Sequence, residues 1–153
     1  MVSYLELKEK HQKEYNEFSE KNIFYAFSNE QFEEGLKKLG FKFGVKSPKV
    51  KEKITTLYGA GDYIPKSKVK DLKDLWRRQD EERKAAIKAD KDGNGYCYEM
   101  WLYELNNHEY GYTYDPTDAM KALGLTFADL EKKENTNVKA GFEKAKKKIL
   151  GED

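Results

Sequence analysis

The stretch SKVKDLKDLWRRQDEERKAAIKA, Ser67 to Ala89, constrains the fold most: Val69, Leu72, Leu75, Trp76, Ala86 and Ile87 recur at helical spacing against a densely charged face. A helix of that length buries one apolar stripe and leaves the other face in water, and Ser67 is placed to cap it. The rest of the chain must then supply the surfaces that the stripe packs on. At 153 residues, 37% of them charged, the chain is expected to form one globular domain over 1–153, with a modest aliphatic core supplemented by aromatic rings and no second independent core.

Shorter signals divide the remainder. Tyr4, Leu7, His11, Tyr15 and Phe18 share a face and predict a helix over 3–20, with His11 a structural histidine on that face. IFYAF at 23–27 is β-prone. Ser28 and Gln31 have the spacing of a capping box before QFEEGLKKLG, where Gly40 is a stop. FKFGVKSPKVKEK at 41–53 reads as a loop, and ITTLYGAGDYIPK reads as two β-prone pieces turned about Gly59 to Asp62. The GAG there lacks the spacing of a phosphate-binding loop. Further on, a helix is expected over 96–107 and a Tyr-rich strand in YGYTYD at 110–115. A short helix follows behind Asp115 and Pro116, ending at Gly124, and another opens at Thr126 and Asp129. NVKAGFEKAKKKIL closes the chain as a basic helical tail. The sum is a helix-rich α+β domain with a small antiparallel sheet built from parts of 22–27, 54–65 and 110–115.

DKDGNGYCYEMW, from Asp90, opens like an EF-hand calcium loop. Asp90, Asp92 and Asn94 occupy ligand positions 1, 3 and 5, and Gly95 occupies the glycine position 6. Position 12, where a bidentate glutamate closes the shell, is Trp101, and no second loop is found. A helix-turn-helix corner, with Gly93 and Gly95 ending one helix and Asp92 or Asn94 capping the next, accounts for the same residues without an ion. No metal or other cofactor is expected, and a calcium-modulated adaptor remains an alternative.

Other chemistry is sparse. Cys97 has no companion cysteine, which excludes an internal disulfide and fits a reducing compartment. His108, close in sequence to Glu104, Glu109 and Asp115, could take part in acid-base work, so a small enzyme or ligand-binding domain around it is a second alternative. No apolar run reaches membrane-span length and the first residues lack the apolar centre of a secretory signal; a cytoplasmic protein with no membrane partner is expected.

The net charge of +1 hides a segregation: residues 41–70 carry a local net of +6 and residues 91–131 a local net of −6. Lys46, Lys49, Lys51 and Lys53 form a candidate basic patch able to make a weak, salt-sensitive nucleic-acid contact. In the acidic half, Tyr96, Tyr98, Trp101, Tyr103, Tyr110, Tyr112 and Tyr114 alternate with Glu99, Glu104 and Glu109 beside His108. One helix and one strand cannot bury all those rings, so this segment is the candidate partner-binding surface.

On LYELNNHEYGYTYDPTDAMKALGLTFADLE together with FYAFSNEQFEEGLKKLG, the chain resembles a group of small proteins encoded by phages and mobile elements of Firmicutes and other gut bacteria. The resemblance implies variation at the positions of Asp92 and Asn94, which counts against calcium. It also implies a setting in which compact proteins act as inhibitors or adaptors on a host factor, CRISPR effectors included. The expected function is a non-enzymatic interaction protein, an anti-defence (anti-CRISPR-like) inhibitor that occludes a host protein or nucleoprotein inside the bacterial host cell.

Overall fold

The structure, a computed structural model, describes residues 2–152. Its elements run α1 (Tyr4–Asn22), β1 (Phe24–Tyr25), α2 (Asn29–Lys38), α3 (Lys49–Lys53), β2 (Ile54–Thr55), β3 (Asp62–Pro65), α4 (Lys66–Ala89), α5 (Tyr96–Asn107), α6 (Tyr110–Thr113), α7 (Thr117–Leu123), α8 (Phe127–Leu130), a 3₁₀ turn (Lys133–Asn135) and α9 (Thr136–Leu150). The fold is helix-rich α+β with a small antiparallel sheet, as expected. Among the described residues no helix is long and apolar enough to cross a membrane.

The chain divides into two compact units, Lys10–Asp80 and the remainder on either side of it. Apolar side chains gather in three clusters, one in the flanking unit and two in Lys10–Asp80, where the length suggested a single core.

Lys10–Asp80 is the sheet unit. Its strands lie in the order β1-β3-β2, with Phe24 opposite Tyr63, Tyr25 opposite Asp62, Ile54 opposite Pro65 and Thr55 opposite Ile64. One face carries Phe24 and Tyr63, whose rings pack with Phe32 of α2. Gly35 lets α2 approach this closely, because a Cβ there would overlap the Phe24 ring. The opposite face puts Ile64 with Ile23 and Leu72. Ser28 caps α2 by accepting from the Gln31 amide at 3.2 Å, and the Gln31 side chain reaches back to the Phe27 amide at 2.7 Å. The turn from Thr56 to Gly61 is organised by Asp62, whose buried carboxylate accepts from the amides of Leu57 (2.6 Å), Tyr58 (3.0 Å) and Ala60 (3.1 Å). Burial alone would raise that carboxyl's pKa; the backbone amides outweigh it and hold the pKa below the usual range. Two details differ from expectation. Residues 49–53 are helical rather than loop, and α4 begins at Lys66, directly after β3, so Ser67 lies inside the first turn and is not its cap.

The helical unit is built on α5 and α9. Trp101 is fully buried, its ring centroid 4.6 Å from that of Phe142, and its indole N–H donates to the Val138 carbonyl at 3.1 Å. Gly141 brings the two helices together: a Cβ there would lie 2.8 Å from the backbone and Cβ of Cys97. The terminal basic segment is therefore a core helix, burying Val138, Phe142 and Ala145, with its lysines confined to the outer face. Gly124 ends α7 in the left-handed region at φ 69°, and Thr126 with Asp129 forms a reciprocal capping box on α8. The expected strand at 110–115 is absent. Residues 110–113 form the single helical turn α6, bracketed by Glu109 and Tyr114 at φ 56° and 57°, and the sheet is made entirely of β1, β2 and β3. The alternation of tyrosines that suggested a strand sorts them instead, Tyr110 into the core and Tyr112 and Tyr114 to water.

Candidate partner-binding surface

The residues singled out between Asp90 and Asp115 all belong to the helical unit, and its geometry separates them into three groups.

The first is the corner between α4 and α5. Asp90 is buried, and its carboxylate accepts from the amides of Gly95 (3.2 Å) and Cys97 (2.8 Å), capping α5 from six residues before its first residue. The Asp90 carbonyl accepts from the Asn137 side chain at 2.9 Å, which also donates to the Ile87 carbonyl at 2.8 Å, so α9 is tied to the corner. Asp92 stays outside and folds back on the Asn94 amide at 2.9 Å. The cap on α5 is thus Asp90, in place of Asp92 or Asn94. Position 12 of the would-be calcium loop is the buried Trp101, five residues into a helix that starts already at position 7. Burial, and then the neighbouring Asp90 carboxylate, push the Cys97 thiol up to about 12, which marks it as a packed, unreactive side chain.

The second group surrounds Glu104, which is buried. Its carboxylate accepts from the Tyr4 hydroxyl at 2.7 Å and from Lys8 Nζ at 3.4 Å, and the Lys8 ammonium also lies over the Tyr103 ring, 5.3 Å from the centroid. His108 Nδ1 lies 2.9 Å from the Glu104 carbonyl and 3.7 Å from its carboxylate. A carbonyl can only accept, so Nδ1 is the donor in this contact. Glu99 accepts the Tyr4 amide at 2.9 Å. Burial, and then the Glu104 carboxylate, raise the Tyr4 pKa, so the hydroxyl is a neutral donor. Glu99, Glu104 and His108 thus form, with Tyr4 and Lys8, a polar staple holding the start of α1 on α5. Tyr4 and Lys8 lie 100 and 96 residues from Glu104 in sequence, and no local motif marks them.

The third group is what remains at the surface. Tyr96, Trp101 and Tyr110 are buried in the helical core, and Tyr98 is half-buried under Lys144 Nζ, 4.4 Å from its centroid. The three buried rings present no surface to a partner. Tyr112 and Tyr114 are the exposed rings of the segment, at 88% and 67% of their full accessibility, with Glu109, Asp115 and Asp118 exposed beside them in sequence. In the sheet unit, Lys46, Lys49, Lys51 and Lys53 are all exposed, and the last three lie on α3, which buries none of its residues.

No curated protein and no solved structure matches this chain. A family model described as a family of unknown function, DUF7659, matches residues 3–148, so the chain belongs to that family.

Proposed function

We propose that the protein is a non-enzymatic binding protein that covers a surface on a host protein or nucleoprotein, as a mobile-element inhibitor of host defence would, and that it works inside the bacterial cell. The observation that carries this reading is the pair Tyr112 and Tyr114, two large rings left in water on a turn whose flanking residues, Glu109 and Tyr114, hold the left-handed conformation without being glycine. That conformation costs about 1–2 kcal/mol for each such residue. Strain kept at an exposed aromatic turn supports a role in contact. Tyrosine gives a rigid anchor with few rotamers to immobilise, and the flanking Glu109, Asp115 and Asp118 favour a basic partner surface.

The test is capture from a bacterial host lysate with the wild type, a Tyr112→Ala/Tyr114→Ala variant, and a Lys49→Glu/Lys51→Glu/Lys53→Glu variant, each first shown to fold by circular dichroism. A stoichiometric partner lost by the tyrosine variant and kept by the lysine variant is the expected result. A partner kept at full occupancy by the tyrosine variant overturns the assignment.

A further inference from the structure

The sheet unit carries a second set of exposed rings that the fold does not need. Tyr25, Phe27 and Tyr58 are 56%, 78% and 66% exposed. They are nonetheless held in place. Tyr25 is paired in β1 opposite Asp62, and the Ala26 amide donates to the Gly61 carbonyl at 2.9 Å. Phe27 lies against Gly61, where a Cβ would overlap its ring. The backbone at Tyr58 is fixed by its amide, which donates to the Asp62 carboxylate at 3.0 Å. The turn's amides at Leu57, Tyr58 and Ala60 are satisfied by Asp62 and that at Gly59 by the Thr56 hydroxyl, so no ring hydroxyl is needed to close it.

The other end of the same sheet is basic. Lys53 and Lys66 flank the paired residues Ile54 and Pro65, and Lys66 donates to the Lys51 carbonyl, which gathers three lysines there. From Phe41 to Gly61 the one acid is Glu52. β3 separates the two ends by four residues, roughly 13 Å at the rise of a strand, a distance that a short extended stretch of polynucleotide spans. Over Lys10–Asp80 there are 16 basic and 11 acidic side chains, a net of +5, whereas the remainder of the chain has a net of −4. A polyanion is therefore attracted by this unit and repelled by the other.

We infer that the sheet unit binds single-stranded nucleic acid, with Tyr25, Phe27 and Tyr58 as a platform for unstacked bases and Lys51, Lys53 and Lys66 contacting the phosphates. Rings can stack only on bases that are free of a duplex, so a single strand is preferred to double-stranded DNA. This surface shares no residue with the Tyr112 and Tyr114 surface, and the two readings stand or fall separately.

The experiment is fluorescence anisotropy on the purified full chain with labelled oligo(dT), oligo(U) and a duplex of mixed sequence, from 50 to 200 mM salt, without any lysate partner. The expected result is single-strand binding that exceeds duplex binding, with oligo(dT) against oligo(U) identifying the nucleic acid. Tyr58→Ala and Phe27→Ala each weaken it about thirtyfold, the middle of the range for a lost stacked base, while Tyr58→Phe retains it. Changing Lys51, Lys53 and Lys66 together to Ala reduces the slope of log K against log salt by about 2, as the loss of three phosphate contacts requires for a single strand. No binding at 50 mM salt, equal binding of the duplex, or unchanged affinity in the ring variants overturns the proposal; the first of these leaves the rings to an acidic protein partner.

Discussion

Gly93→Ala tests whether the glycines of the DKDGNG corner exist for an ion or for packing. Gly93 has φ +77°, and a Cβ there would overlap the Asn137 carbonyl oxygen and approach the Gly141 amide nitrogen to 3.1 Å. The backbone conformation alone costs an L-residue about 1–2 kcal/mol. To make room, the Asn137 carbonyl must retreat by roughly an ångström or more, which pulls the Asn137 side chain from the Ile87 and Asp90 carbonyls. Those two hydrogen bonds contribute about 0.5–1.5 kcal/mol each. The stiffer unfolded chain returns about 0.4–1 kcal/mol. The net is about 3 kcal/mol, in the range reserved for substitutions with a definite structural cause. Gly124→Ala is the comparison: φ is +69° and nothing lies within 4 Å of the added Cβ, so it feels strain without a clash and loses about 1 kcal/mol. Urea unfolding in a Trp76→Phe background reads the buried Trp101, which reports on the packing of α5 against α9. Equal losses at the two glycines, or a loss under about 1 kcal/mol at Gly93, would show that α9 does not depend on this contact.

Calorimetry with ~10 μM calcium, where sensor loops fill, is expected to give no saturable heat, because Trp101 offers no oxygen at position 12 and Asp90 is already occupied by two amides; saturation that disappears in Asp90→Asn would refute this. Asp62 sets an acid limb on stability. Its folded pKa lies below the unfolded value of about 3.9, so its contribution is complete above that value and lost as pH falls through the folded one. Asp62→Asn should therefore cost about 1–2 kcal/mol at neutral pH, with the gap to wild type closing below about pH 4; a gap that stays constant down to acid pH would remove the carboxylate from the account.

Much of this architecture was legible because local chemistry decides it. α5 runs between the residues expected of it, Tyr96 and Asn107, and the caps at Ser28 and Thr126 and the stop at Gly124 follow from side chains a few residues away. The failures occur where a distant partner decides. Tyr110, Tyr112 and Tyr114 have the period of a strand, but strand formation needs a neighbour; here the amides of 112–114 are satisfied within the turn, by the Glu109 and Tyr110 carbonyls. Asp90 looks like a ligand until Asn137 and the Gly95 and Cys97 amides are seen around it. α9 reads as a basic tail when its lysines are counted, although Val138, Phe142 and Ala145 at i, i+4 and i+7, with Gly141 among them, already mark a face for another helix. Glu104 could not be placed from sequence at all, since its partners Tyr4 and Lys8 lie about a hundred residues away.

The charge segregation survives in the structure, but its two halves are not equivalent. Of the eight acids between 91 and 131, Glu104 is buried against Lys8, Glu99 holds the Tyr4 amide, and Asp129 and Glu131 pair with Lys132 and Lys139. What stays at the surface around the exposed tyrosines is a small rim, Glu109, Asp115 and Asp118, too few to make a strong long-range field but placed to orient a contact once formed. The lysines of 41–53 are all exposed, and Glu52 is the one acid among them in sequence. Electrostatic attraction acting at a distance should therefore come mainly from the sheet unit, and raising salt should slow association with a polyanionic partner more than it weakens a short-range contact anchored on Tyr112 and Tyr114. A nucleoprotein target would expose both behaviours in one titration: an association rate that falls with salt and responds to the lysines, and a dissociation rate that is nearly salt-independent and responds to the tyrosines.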